Sequence, residues 1–531
     1  MAPVEPDLNN SNILPIAAFL TQILLVIGLT ATVLHTIRRA ARTLPPTSST
    51  RLQQLHRSRD VVIFSILALT SLTVISYFSV EWRRLSYLGW AHSKKYNVPN
   101  NLWRGWYGSG DAGVRLRLGA WMKDVNLRRE ADMIAVKSPS GFLWTHQQFI
   151  ALVTNSIFIG IEGQRRNLPT ATIVSFVLLS QISALSFAQN LFFIVMLFTP
   201  VPLYSMLPPR RDPLWTPRPA VYWIPASMSF IFLHLMPMMV GYPWDMPFLT
   251  VGYFAVPIFL ARAGQQILPT SWGHTHKDSR SAHRSMISVF YTIGVFSTFL
   301  HFKQLAFAFM DTTPPAKYTD YDYVWDMHRG GERSLFERGS IAIQRLLSTI
   351  GDHPAISVTS WDVLLSAISL CMWAFTRRLN VDEMLDCSIL SYFSGSKNKD
   401  EKVEKHVSFE AESKPTVNSV SPSVSPAKKT RGRPKKGGRT SVDTSSLRSL
   451  RRSTRHQAAK HESDSEESFK PSVNMSEEIA KTEHDDDGHG EEDLIAEGEA
   501  AALALGLYSI GGLGPLIASV LGAEVGGRQD R

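Results

Sequence analysis

Long apolar runs recur along this chain, separated by polar connections. A helix needs about 20 apolar residues to cross the hydrocarbon core of a bilayer. Eight runs are read as such spans: Ile13–Leu34, Val61–Val80, Gly141–Ile161, Thr170–Thr199, Ala220–Gly241, Phe248–Ala263, Met286–Met310 and Trp361–Phe375. The sixth is short and the eighth is marginal in length. A ninth candidate, Ala500–Ala523, is 24 residues without a charge, rich in the Gly and Ala that suit close helix packing in membranes. The expected fold is all-α, a polytopic membrane helix bundle of eight or nine transmembrane helices.

Polar residues interrupt these runs in register. Gln148, Asn155 and Glu162 are seven residues apart, which puts them along one face of the third run. Ser183, Ser186 and Asn190 share a face of the fourth, with Gln189 at its edge and Gln181 off it. Polar groups in a membrane helix are costly unless they face a partner or a cavity, so residues 141–200 read as one wall of an intramembrane site. Pro225, Pro237 and Pro257 should kink the fifth and sixth runs around something.

Composition divides the chain of 531 residues. Mean hydropathy is near zero, which hides an apolar part up to about residue 380 and a polar part over 393–496. The expected organisation is a transmembrane bundle over 1–380, a disordered charged linker over 381–496, and a Gly/Ala-rich last segment over 497–531. Two cysteines exclude a disulfide framework or a cysteine-based metal site. The net charge of +9 fits contact with any polyanion. No cleavable signal is evident, since the first run ends in Arg38, Arg39 and Arg42 without a small-residue cleavage site. Those arginines place the following loop in the cytoplasm. Residues 81–140 carry Trp90, Trp103, Trp106, Tyr107 and Trp121 among many cations, the mark of a segment on the membrane surface.

Several short motifs carry chemistry. Arg431, Gly432, Arg433 and Pro434 form an AT-hook core, narrow enough for the minor groove of A·T tracts. A basic linker touching anionic lipid or nucleic acid through 428–455 is the plainer reading. His274 and His276 lack a third ligand of fixed spacing, so no metal is assigned. No nucleotide fingerprint or nucleophile elbow is present, and no cofactor is expected. The acids at or near membrane depth are Glu81, Glu162, Asp245, Asp311 and Asp362. A carboxyl in a dry pocket can stay protonated and donate its proton. Glu162 and Asp245 are the candidate acids. Pairing with Arg165 or Arg166 is the structural alternative for Glu162, and a turn between prolines is that for Asp245.

Three stretches together carry a resemblance: Phe142-Leu143-Trp144-Thr145-His146, then Glu162-Gly163-Gln164-Arg165-Arg166-Asn167, then Ser186-Phe187-Ala188-Gln189-Asn190-Leu191-Phe192-Phe193. With Trp272-Gly273 and the segment ending Leu521-Gly522-Ala523-Glu524, the chain resembles fungal membrane-bound terpene cyclases of the ascofuranone and macrophorin type. That resemblance implies acid-initiated cyclisation of a prenylated, epoxidised meroterpenoid precursor within the endoplasmic reticulum membrane. It implies a protonated acid, Glu162 or Asp245. Trp144, Tyr222, Trp223, Trp244, Tyr253 and Phe192 would stabilise cation character through their ring faces. Gln189 and Asn190, with Gln148 and Asn155, would contact substrate. The polar insert with its hook departs from the family. Two other functions fit parts of the sequence: a nuclear-envelope tether holding DNA or another polyanion through the hook, and a transporter using the same polar residues.

Overall fold

The computed structural model describes residues 12–43, 51–96, 116–199, 214–242, 251–264, 268–277, 279–317, 332–394 and 498–526. The AT-hook residues, Trp244 and Asp245 lie outside the described residues, as do residues 395–497, which hold all but the first two residues of the polar part. Residues up to Lys397 and those from His489 belong to one compact unit.

The chain is mostly helical. In order come α1 (Ile13–Thr43), α2 (Arg51–Ser93), α3 (Leu118–Asp124), α4 (Leu127–Lys137), α5 (Pro139–Arg165), α6 (Thr170–Ile182) and α7 (Leu185–Phe198). There follow α8 (Ala220–Met239), α9 (Val256–Arg262), α10 (Ser279–Thr312), α11 (Leu335–Asp352), α12 (Pro354–Arg377) and α13 (Val381–Asp386). Two more close the chain, α14 (498–511) and α15 (Leu513–Gly526). A two-stranded antiparallel ribbon, β1 (Trp215–Pro217) with β2 (Gly273–Thr275), is the one departure from helix among the named elements.

Five helices among the described residues are long and apolar enough to cross a membrane: Ile13–Arg42, Arg57–Ser93, Ala220–Met239, Arg284–Thr312 and Pro354–Arg377. Their outer faces carry exposed Leu24, Ile27, Ile66, Leu69, Met228, Ile231, Phe299 and Met310. Bare apolar surface of this extent is costly in water, and a lipid environment removes the cost. The marginal eighth run is longer than expected. Pro354 opens α12 and His353 caps it by accepting from Ala355 N at 3.1 Å.

Four sequence expectations change. The third run is α5, started by Ser138, whose Oγ accepts from Gly141 N at 3.0 Å. It is buried along most of its length and sits at the centre of the bundle, walled by α9, α10, α12 and α15. Protein rather than lipid surrounds it, so it tolerates polar residues that a lipid-facing span would not. The second change concerns Thr170–Thr199, which is not one span but a hairpin of α6 and α7. Phe176 and Phe192, on opposite arms, meet with ring centroids 5.1 Å apart. The end of α7 comes back to the start of α6, where Arg166 Nε donates to Thr199 O at 2.9 Å. Arms of 13 and 14 residues reach about 20 Å, short of a 30 Å hydrocarbon core. Third, the run Phe248–Ala263 contributes only a five-residue π-helical turn, Val251–Ala255, and the seven residues of α9. Fourth, Ala500–Ala523 is broken at Gly512, where φ is +72°. Its second half, α15, packs along α10 and α5 and is almost wholly buried.

α11 has no counterpart among the apolar runs. It is amphipathic, and Ser334 caps it by accepting from Glu337 N at 3.1 Å, the Ser-x-x-Glu start signal of a helix.

Close helix approach depends on small residues. A Cβ on Gly160 of α5 would lie 2.6 Å from Ala261 O and 2.8 Å from Ala261 Cα, both backbone atoms of α9. Backbone cannot swing aside as a long side chain can. Gly160→Val is expected to cost about 1–3 kcal/mol through overpacking, read as a lowered melting temperature of the detergent-solubilised protein.

Candidate functional site

Three polar layers stack along α5, α7 and α12, which run in the same direction. Their register follows from contacts along the length. Gln148 and Asp362 meet the start of α7. Further along, Phe158 packs on Phe192 at 5.6 Å and Phe193 stacks on Trp373 at 4.2 Å. Last comes the Arg166–Thr199 hydrogen bond.

The first layer centres on Asp362 of α12, which is fully buried. Its Oδ1 accepts from Ser186 N at 2.8 Å and Ser186 Oγ at 2.6 Å. Its Oδ2 accepts from Leu185 N at 2.9 Å and Gln148 Nε2 at 2.8 Å. Helix α7 starts behind Ala184, whose backbone is extended and whose side chain cannot cap. The acceptor that a Ser or Asp would supply locally therefore comes from another helix. A negative carboxylate also complements the positive end of the helix dipole.

Beside this knot, Gln147 Oε1 accepts from Leu513 N at 3.0 Å. Neighbouring glutamines of α5 thus take the starts of two helices, α15 directly and α7 through Asp362. Gly512 is required here twice over. Its φ is positive, and a Cβ would lie 2.6 Å from His301 Nδ1 and 2.7 Å from Gln147 Oε1.

The second layer is less satisfied. Asn155, Gln189 and Asn190 are no more than 1 % exposed. Both polar atoms of Asn155 and of Gln189 lack a hydrogen-bond partner, as do Asn190 Oδ1 and Ser366 Oγ. Asn190 Nδ2 donates to Ser186 O at 2.8 Å. By register, Asn155 is level with Gln189, each three residues before the Phe158–Phe192 contact, and Asn190 follows Gln189. Further along the same helices come ring contacts, Phe192 with Phe158 and with Phe176 of α6, and Phe193 with Trp373.

The third layer is ionic. Glu162, fully buried, pairs with Arg165 at 2.8 Å and with Arg166. Arg165 Nη1 also donates to Val525 O at 3.3 Å, and Arg377 pairs with Glu524 at 3.1 Å. Buried cations and anions at this end of α5 neutralise one another.

The sequence-derived residues therefore separate. Gln148, Asn155, Gln189, Asn190 and Phe192 lie along the three-helix seam, and Glu162 lies at its ionic end. Trp144 is buried, and its Nε1 donates to Thr349 Oγ1 of α11 at 3.1 Å. Tyr222 is buried beside Gly264 and the end of α5. Tyr253 stacks under the Arg128 guanidinium at 4.2 Å. Trp223 is 40 % exposed on the outer side of α8, so it does not line the core. An indole with its ring half-exposed suits the interfacial layer instead. His276 Nε2 is 2.8 Å from Thr216 Oγ1 within the ribbon region.

Asp362 is the central group that the apolar and polar pattern alone does not single out. The available signal was an acid one residue into an apolar run, opposite a run holding Ser186. Compared with family models, curated proteins and solved structures, the chain matches none.

Proposed function

We propose that this chain is an integral membrane enzyme of the terpene-cyclase type, acting on a prenylated, epoxidised precursor held between α5, α7 and α12. In this reading the bundle crosses the endoplasmic reticulum membrane, and the hairpin α6–α7 reaches only part way through it. The observation that carries the reading is the second layer. Its unpaired buried amide and hydroxyl atoms cost about 1–3 kcal/mol each. A core retains such groups where they serve function. Their amide N–H and hydroxyl groups offer donors to an epoxide oxygen in an apolar setting that would exclude water from a carbocation. Asp245 supplies the proton in this scheme, because Glu162 is held by two guanidinium groups and Asp362 by four donors.

The test uses microsomes given the linear prenylated epoxide, with cyclised product measured. Asn155→Leu is expected to raise the melting temperature, since it removes an unpaired buried amide, and to lower turnover at least ten-fold. Asp245→Asn is expected to abolish turnover. Undiminished cyclisation by both variants would sink the proposal.

One observation favours a second reading, transport. A helix start at mid-depth of a membrane bundle, as at Leu185, is a device of carriers that bind ions or anionic substrates. Here Asp362 already occupies that start, so the enzyme reading is preferred. Solute uptake by proteoliposomes that carry the protein, without product formation, would reverse the preference.

A further inference from the structure

A cavity of about 320 Å³ lies away from the seam, between the last turns of α2, α4 and the residue that caps α12. Leu85, Ser86, Gly89 and Trp90 of α2 line it, with Glu130 of α4 and His353. Its size is at the lower end of ligand pockets, about 300–1,000 Å³.

Its depth in the membrane follows from α2. The apolar core of that helix ends at Val80, with Glu81, Arg83 and Arg84 next. At 1.5 Å per residue, Leu85 to Trp90 lie about 8–15 Å beyond Val80, in the headgroup layer. Tyr87, Trp90 and Trp121 cluster there, as aromatic residues do at that level.

The lining has two chemical sides. Ser86 Oγ donates to Glu130 Oε2 at 2.5 Å and receives Trp121 Nε1 at 3.3 Å. Ser93, also at the cavity, spends its proton on Trp90 O at 2.7 Å. This side therefore presents a carboxylate, hydroxyl lone pairs and an indole, all partners for a cation that donates hydrogen bonds. On the other side His353 Nδ1 accepts from Ala355 N at 3.1 Å, which puts the ring proton on Nε2. Burial holds His353 below the ordinary histidine range; Glu130 opposes this and Lys137 reinforces it. The ring is thus a neutral donor at pH 7, with the Lys137 ammonium in its field. Glu130 is the charged group of the lining; Lys137 lies seven residues further along α4, about 10 Å along the helix and outside the lining.

We propose that this cavity binds the headgroup of an ethanolamine phospholipid, the primary ammonium resting on Glu130 and Trp90 and the phosphate accepting from the His353 ring N–H. A quaternary ammonium cannot donate hydrogen bonds to Glu130, and a glycerol headgroup offers no cation, so both should bind more weakly.

The test titrates the full-length protein, purified in a neutral detergent, with palmitoyl-oleoyl phosphatidylethanolamine, phosphatidylcholine or phosphatidylglycerol. Binding is read from tryptophan fluorescence and native mass spectrometry. The ethanolamine lipid is expected to bind at least ten-fold tighter than either other lipid, and soluble O-phosphoethanolamine is expected to compete with it. Glu130→Gln should remove the preference for ethanolamine. Gly89→Leu should abolish binding by filling the cavity, since a Cβ at Gly89 meets nothing within 4 Å. Equal binding of the three lipids, or ethanolamine-lipid binding unchanged in Gly89→Leu, overturns the proposal. So does binding of soluble O-phosphoethanolamine without binding of the lipid. Should either variant fail to fold, the lipid preference of the unaltered protein alone decides.

Discussion

Replacing Asp362 with Leu is expected to destabilise the bundle by about 4 kcal/mol or more. Four donors converge on this carboxylate, and each would be left buried without an acceptor. The hairpin tip would also lose the charge that faces the start of α7. Asp362→Asn should cost roughly half as much, since its amide keeps one acceptor oxygen and turns an NH2 group toward two donors. The measurement is the melting temperature of the detergent-solubilised protein, with size-exclusion recovery as a second readout. An Asn variant as stable as the parent would mean that Asp362 is already neutral in the native bundle, and its role as a charged cap would be withdrawn.

The second large effect is expected at Glu162. Glu162→Ala leaves Arg165 and Arg166 buried, with the paired Arg377–Glu524 group beside them. Breaking a buried ion pair by removing one partner costs about 3–5 kcal/mol, most of it the penalty of the unpaired charge. Replacing Glu162 together with one of its two guanidinium partners, Glu162→Leu with Arg166→Met, should recover part of that loss, because only Arg165 then remains buried without the carboxylate. A double substitution no more stable than Glu162→Ala would contradict this account. The same pair bears on function. Turnover per folded molecule should survive in Glu162→Gln and vanish in Asp245→Asn if Glu162 serves structure and Asp245 donates the proton.

Much of the architecture was legible in the pattern of apolar runs. Hydrophobic length marks helices that can face lipid, so α1, α2, α8, α10 and α12 could be read directly. Amphipathic periodicity placed Gln148, Asn155 and Glu162 on one face, and Ser186 and Asn190 on another; Ser183, expected on that second face, lies instead at the hairpin tip, where the helix is broken. Those faces meet along the seam. Periodicity succeeds because the side-chain direction on a helix is set locally, by backbone geometry alone.

The hairpin was not legible, and the reason is physical. Its tip, Ile182-Ser183-Ala184-Leu185, contains neither glycine nor proline, the residues that usually punctuate a helix. The break is held by Asp362, 177 residues further along, which accepts from the backbone at Leu185. A long-range cap leaves no local trace. The same holds for α5, whose polar residues suit a core position only because other helices enclose it, and for Glu162, whose environment depends on the packing of α7 and α15 against its end. Sequence alone determined that this is a helical chain with several membrane-length spans and polar stripes inside them. Tertiary structure decided which stripes are satisfied, which remain unpaired, and where a continuous apolar run turns back on itself. Those outcomes depend on hydrogen-bond partners brought together from distant parts of the chain.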